Sequence, residues 1–359
     1  MSPPPAALAR TPAADPLPAV LSGSDRANPW LPAAPCSPAA CIAPPSETAA
    51  RPRRALRLLA SAVLVLAGAV LAPAARGLGT ARRIRLTSAW SRLLLRALGV
   101  RVEVRRGFAF LAGSAAGAAT APGVRAVPGP RAAPGRGSAA AGAASGVRAA
   151  VPGTAPLLVA NHVSWLDPLV MAAALPCRLL AKREVRTWPV VGGLAAGSGA
   201  LFIDRDRLTA LPGAVGDVAE ALAEGHPVAA FPEGTTWCGR GMGPFRPAVF
   251  QAALDAGAPV LPVAIRYLDA YRAPETGPVF VGDDTILASI RRVAAVRRMT
   301  VEVTVLPRVT ARDRRTLAWR AESSVASAAA VPAGHGAPAV PAPILRDPDG
   351  AGRAAAALR

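Results

Sequence analysis

Aromatic residues are scarce in this 359-residue chain, at 4%, and acidic residues number 22 against 41 basic ones. The formal net charge of +19 invites a nucleic-acid partner. Few aromatics, no aromatic–basic interleaving, no helix-turn-helix and no zinc-finger spacing argue against one. Histidine is limited to His162, His226 and His335, and cysteine to Cys36, Cys41, Cys177 and Cys238. Those four cysteines are too scattered along the chain for a zinc site or a disulfide framework, so no metal is expected. They fit a reducing compartment. Lysine occurs once, at Lys182; with so much Ala, Gly and Pro this points to GC-rich coding, so Arg in place of Lys carries little functional meaning. No Gly-x-Ser-x-Gly elbow is present, which argues against an α/β-hydrolase. Large apolar residues are sparse and periodicity is missing in 1–50, 111–153 and 321–359. These segments read as a disordered Pro/Ala-rich tail, a low-complexity Ala/Gly/Pro insert and a second disordered tail. That leaves 51–110 and 154–320.

What is present is arginine in one block. Residues 51–106 carry thirteen Arg and one Glu, +12 of the total. The block encloses Leu58–Ala75, 18 residues without a charge, at the short end for a membrane span. A signal peptide fits poorly, because the run follows a long Pro-rich tail and no clean cleavage site comes after it. Arginines flank both ends, so charge sets no orientation. Leu86–Val100 places Trp90, Leu93, Leu94, Ala97 and Leu98 largely on one helical face, beside Arg92, Arg96 and Arg101. That is the pattern of an interfacial amphipathic helix. Residues 51–110 are therefore expected to be membrane-anchoring helices that favour anionic head groups. The alternative is a buried core helix pair.

Between 154 and 320, short apolar runs alternate with helical patterns. Expected strands are Leu157–Ala160, Leu179–Lys182, Leu201–Asp204, Val228–Phe231, Val260–Ile265, Val279–Val281 and Thr300–Leu306. Expected helices are Pro168–Leu175, Leu208–Glu224, Ala248–Ala256 and Thr285–Val296. Gly225 and Gly257 close two helices, and Asp283 or Asp284 caps the last. This alternation predicts an α/β fold with a largely parallel sheet flanked by helices, with strand order left open.

Polar residues gather where strands end. The run Leu157–Ala160 leads into Asn161-His162-Val163-Ser164-Trp165-Leu166-Asp167-Pro168. Asp167-Pro168 is a helix start, with Asp as N-cap and Pro at the first helical position. His162 then sits at the mouth of a strand-to-helix turn, where α/β folds place their chemistry. A histidine oriented by a carboxylate is the working part of a general base; alternatively Asp167 is a cap and no more. Leu201–Asp204 runs into Arg205, and Val228–Phe231 into Pro232-Glu233-Gly234-Thr235-Thr236. Strand C-termini share one rim, so a His/Asp pair, an arginine and a Gly-Thr loop able to bind an anion are expected around one pocket. His226 reads as a surface or core histidine.

Four blocks stand in the order and spacing of the glycerophospholipid acyltransferase family, which the chain resembles over roughly 154–310. They are Asn161–Asp167, Gly199-Ala200-Leu201-Phe202-Ile203-Asp204-Arg205, Phe231-Pro232-Glu233-Gly234-Thr235, and Val260-Leu261-Pro262-Val263-Ala264. The resemblance implies transfer of a fatty acyl group from a thioester to the hydroxyl of a lysophospholipid, foremost 1-acyl-sn-glycerol-3-phosphate. His162 would be the general base and Asp167 its partner. Arg205, Glu233, Gly234, Thr235 and Pro262 would bind substrate, with Glu233 orienting the loop or accepting from the acceptor. No cofactor is implied. The implied partners are membrane lipids, the lysophospholipid, and acyl-CoA or acyl-carrier protein as donor, with the site expected at the cytoplasmic face of the inner membrane. Phosphatidate-forming members commonly carry Arg after Glu-Gly-Thr. Here the residue is Thr236, and Arg240 or Arg246 could supply the cation. The variant is also similar to lyso-ornithine lipid acyltransferases, as is Val281-Gly282-Asp283-Asp284. A non-catalytic lipid-binding protein of the same fold is the rival outside enzymes.

Overall fold

The computed structural model describes residues 32–106 and 153–329. Expectations for 1–31, 107–152 and 330–359, including His335, lie outside the described residues. A short helix α1 (Pro38–Cys41) precedes two long ones, α2 (Arg51–Ala75) and α3 (Thr80–Ala97). Then come β1 (Val100–Arg106), β2 (Leu157–Ala160), α4 (Asp167–Ala174), β3 (Arg178–Lys182), α5 (Val191–Ser198) and β4 (Leu201–Ile203). The chain continues through α6 (Leu211–Ala223), β5 (Val228–Ala230), α7 (Ala248–Ala256), β6 (Val260–Leu268), α8 (Ile286–Ala295), β7 (Met299–Val305) and α9 (Arg314–Ala329).

The strands form one sheet in the order β1-β7-β6-β2-β5-β3-β4. Every pairing is parallel except β6 with β7. Parallel neighbours need crossovers, and α4 to α7 supply them in turn. Helices cover both faces. On one side Leu94, Leu95, Val170, Met171 and Val293 pack on the sheet. On the other, Val218, Leu222, Phe250 and Leu317 do so. Strand β2 is sandwiched between, and all four of its residues are buried. That is why it reads as a continuous apolar run without alternation.

Several expectations change. Val279–Val281 is not a strand. It is a buried loop, and Phe280 N donates one bond, 3.1 Å, to Val163 O. Its apolarity reflects burial alone. Residues 100–106 leave the helical block and form edge strand β1, paired along its length with β7. Residues 32–50 lie against the domain, with Cys41 and Ala49 buried and Thr48 bridged to Val296. Residues 321–329 complete α9, burying Ala321 and Val325. Asp167 is the first residue of α4, and Leu166 precedes it as the cap. Thr285, accepting from Ala288 N, caps α8 in place of Asp283 or Asp284. Asp284 pairs with Arg292 instead.

The apolar face of α3 is turned into the domain, with Ile84, Leu94, Leu95 and Leu98 buried. This is the core-helix alternative rather than an interfacial one. Helix α2 differs. It is long and apolar enough to cross a membrane. One side packs on α3, α5 and α8, while Leu56, Leu59, Val63, Leu66 and Val70 face outward and are each more than half exposed. Small residues allow the close approach. A Cβ on Gly197 would sit 2.8 Å from Ala72 Cβ.

Three arginines of the basic block serve this packing. Arg57 donates to Ala294 O and Val296 O at the end of α8 (3.0 and 2.6 Å). Arg83 donates to Ala196 O and Gly197 O at the end of α5 (2.5 and 3.0 Å). Arg92 donates to Ala173 O in the last turn of α4 (2.8 Å). Each satisfies carbonyls that a helix leaves unpaired, and brings positive charge to the negative end of its dipole.

Candidate active site

The parallel strands β2 and β5 end side by side, and their loops meet. Asn161, the first residue beyond β2, fastens that end to β6. Its amide accepts from Ile265 N (2.8 Å) and donates to Ile265 O (3.0 Å). The backbone then turns into α4, bringing His162 and Asp167 together with Nδ1···Oδ2 at 2.8 Å. Asp167 is fully buried. Its Oδ2 also accepts from Val163 N (2.6 Å) and Ser164 N (2.7 Å), and its Oδ1 accepts from the Tyr267 hydroxyl (2.5 Å). A carboxylate with this many donors is an acceptor only, so the imidazole proton sits on Nδ1. Nε2 is left as an acceptor. The ring stacks on Phe231 (centroids 4.4 Å, interplanar 20°) and keeps 20% of its side chain exposed. The arrangement can take a proton from a bound hydroxyl while Asp167 balances the charge that develops.

The loop after β5 grips the histidine backbone from both sides. His162 N donates to Glu233 Oε1 (2.7 Å), and Trp237 N donates to His162 O (2.7 Å). The other Glu233 oxygen accepts from Gly243 N (2.8 Å). Glu233 is buried, and burial pushes its carboxyl up to about 8, against the opposing pull of the two N–H donors. Of the two roles expected for Glu233, the geometry provides loop orientation, since both oxygens are taken by backbone. Gly234 (φ +77°) makes the turn that only glycine enters without strain. Arg205 donates to Gly234 O. Burial lowers the Arg205 pKa, as does Arg246 beside it, while Glu184 opposes. Thr235 and Thr236 are half-buried on the same loop, and their backbone N–H groups have no acceptor among the described residues.

Of the residues expected at the site, His162, Asp167, Arg205, Glu233, Gly234 and Thr235 come together. Pro262 does not join them. It is buried inside β6, opposite Val159. Its carbonyl accepts from Leu306 N (2.9 Å), so its ring nitrogen faces the side that the β7 ladder has left after Val305. A proline is tolerated there because no N–H is required. Arg246 stands near Arg205, whereas Arg240 reaches away to Ala40 O (3.3 Å). His226 lies by Glu224 (3.3 Å), apart from the site. The sequence places Asn161 in the His162 motif without a role for its side chain, and it gives no sign of Tyr267. Tyr267 shares the buried face of β6 with Val263 and Ile265, and a period-two pattern marks such a residue only as core.

A protein-family model described as "Acyltransferase" matches residues 146–266. The 1-acyl-sn-glycerol-3-phosphate acyltransferase of Neisseria gonorrhoeae is 36% identical over 172 residues, 47% of this chain and 67% of that protein. The lyso-ornithine lipid O-acyltransferase of Pseudomonas aeruginosa is 37% identical over 188 residues, 49% of this chain and 69% of that protein. A solved 1-acyl-sn-glycerophosphate acyltransferase from Thermotoga maritima superposes over 76% of this chain and 96% of its own, at 17% identity and a TM-score of 0.39.

Proposed function

This chain belongs to the acyltransferase family of these lysolipid-acylating relatives, and from that premise we propose that it acylates the free hydroxyl of a lysophospholipid, 1-acyl-sn-glycerol-3-phosphate first. The observation that carries the reading is the 2.8 Å bond from His162 Nδ1 to a buried, fully donated Asp167, which leaves Nε2 open. Nε2 takes the proton of the acceptor hydroxyl. The oxygen forms a bond to the thioester carbonyl carbon, the carbon–sulfur bond breaks, and the departing thiolate recovers the proton from Nε2. No enzyme-bound acyl group forms, so Ser and Cys have no part in it. The free N–H groups of Thr235 and Thr236 are suited to the oxygen that gains charge. The donor is acyl-CoA or acyl-carrier protein, both water-soluble and cytoplasmic, so the site belongs at the cytoplasmic face of the inner membrane.

Arg205 with Arg246 nearby supports an anionic head group, since guanidinium groups pair with phosphate. Thr236 in place of the expected arginine favours a second acceptor, lyso-ornithine lipid, as does the Pseudomonas relative. The outward face of α2 supports membrane attachment. Trp188 and Val191 are exposed before and within α5, and Ile286 and Leu287 on α8, the two helices that also pack on α2. Because α2 is docked from Arg57 to Ala72, this stripe enters lipid with the domain attached, so α2 lies in the plane of one leaflet rather than spanning.

The test is acyl transfer from a long-chain acyl-CoA by purified full-length protein in mixed micelles. Lysophosphatidate and lyso-ornithine lipid are compared as acceptors. Phosphatidate formation is expected, with His162→Ala slower by about 10²–10⁴-fold, the usual contribution of a general base. Undiminished activity of His162→Ala overturns the mechanism, and failure with both lysolipids overturns the function.

A further inference from the structure

Three of the four cysteines, distant in sequence, meet in the fold. The Sγ atoms of Cys36, Cys41 and Cys238 all lie within 4.8 Å of one another. All three are free thiols. Cys41 and Cys238 are buried, and Cys36 is half-buried. Two of them come from the segment 32–50 that crosses the domain. Cys238 comes from the loop after β5, next to Trp237, whose N–H holds His162. The segment is anchored around the cluster by Arg240 to Ala40 O (3.3 Å), Ala43 N to Thr276 Oγ1 (2.9 Å) and Ser46 to Asp269 (2.9 Å). At its start Pro32 rests on Gly234, where a Cβ would meet Pro32 Cγ at 2.5 Å and Arg205 Nη1 at 3.3 Å.

We propose that Cys36, Cys41 and Cys238 form a three-thiolate site for a thiophilic d¹⁰ cation of the zinc class, which fastens the 32–50 strap beside the acceptor loop. Zinc–sulfur bonds of about 2.3 Å on tetrahedral directions place three sulfurs ~3.8 Å apart, within a small side-chain adjustment of their present separation. The fourth position faces the open side of Cys36 and takes water. Three thiolates around a divalent ion leave one negative charge, and Arg240 lies against the strap to meet it. Each thiol gives its proton to solvent on binding. The ion is held by thiolates and must displace those protons. Binding therefore weakens as pH falls. The cluster uses neither His162 nor Asp167 as a ligand, and takes no part in the acyl transfer proposed above.

The test uses reduced, chelator-treated full-length protein titrated with Zn²⁺, followed by gel filtration and metal analysis. About one zinc per chain is expected in the parent protein and in Cys177→Ser, whose thiol is outside the three-cysteine group. Stoichiometry should collapse in Cys36→Ser and in Cys238→Ser. Cys36 is half-buried, so its serine variant keeps the fold. Co²⁺ in place of Zn²⁺ should give thiolate charge-transfer absorption that is lost in the same variants. Alkylation of Cys36 should slow at least about tenfold when zinc is added, because a bound thiolate no longer attacks. Equal zinc in the parent and Cys36→Ser proteins overturns the site, as does a disulfide within the cluster with no zinc uptake after reduction. Zinc content is read independently of turnover, so an inactive enzyme does not decide the question.

Discussion

The carboxyl group of Asp167 holds the site together through four donors that arrive from three directions. Asp167→Asn puts an NH₂ group among N–H and O–H donors and removes the acceptor that fixes the imidazole tautomer. We expect kcat to fall by about 10⁴-fold, the scale at which a wrong tautomer acts in a Ser-His-Asp triad. Thermal unfolding of the same variant should show reduced stability. Tyr267→Phe removes one donor to a buried charge and should cost about 1.5–3 kcal/mol in chemical denaturation, with a smaller loss of activity. Glu233 carries a sign that can be checked. Its folded pKa of about 8 lies above the ordinary 4.5, so the folded state binds the extra proton between those values. Its contribution to stability is fully present below pH 4.5 and is lost as pH rises through 8, with a slope of at most about 1.4 kcal/mol for each pH step of one. Glu233→Gln should flatten that part of the stability–pH curve. A curve identical to the parent's would remove the buried carboxyl as its cause. His162 and Asp167 were legible from their place between an apolar run and a helix start. Tyr267 was not, because a buried tyrosine in an apolar strand looks like core until its hydroxyl partner is known.

Helix α2 shows how far local pattern carries at the scale of an element. Its uncharged run gave its existence and apolarity, and the structure shows which side is used. Leu59, Leu66 and their neighbours are exposed, whereas Ala72 is pressed on Gly197. Leu59→Asp with Leu66→Asp should release the protein from vesicles, since each leucine withdrawn from apolar surroundings forfeits about 1.5–3 kcal/mol. Unfolding of the domain should be unchanged, within about 0.5 kcal/mol for exposed positions. Co-sedimentation with vesicles and calorimetry read the two effects separately. Vesicle binding that survives the double substitution would remove α2 as the anchor. Helices α6 and α7 were legible from their apolar spacing and their glycine stops, Gly225 (φ +81°) and Gly257 (φ +61°). Strand β1 was not. Its arginines continue the basic block, and only pairing with β7 makes Val100–Arg106 extended.

Across the described residues, the arginines of α2 and α3 have two uses. Arg57, Arg83 and Arg92 are spent on helix ends, while arginines without such a bond, such as Arg53, Arg82 and Arg96, remain exposed for lipid head groups. Binding to anionic vesicles should therefore weaken as salt shortens the Debye length from about 10 Å at 0.1 M toward about 3 Å at 1 M. Binding to neutral vesicles, driven by α2, should change little, and vesicle co-sedimentation across a salt series measures both. The amino-acid sequence by itself determined the strand-and-helix alternation of 154–320, the loops that carry His162, Arg205 and Glu233, and one helix fit for lipid. Those features are written in runs of a few neighbouring residues, where periodicity, glycine stops and helix starts act. Only the tertiary structure decided the strand order, the Tyr267 and Asn161 contacts, the arginine-capped helix ends and the meeting of Cys36, Cys41 and Cys238. Each of these joins residues far apart in the chain, and their separation is set by which strands lie side by side and how the helices pack upon them.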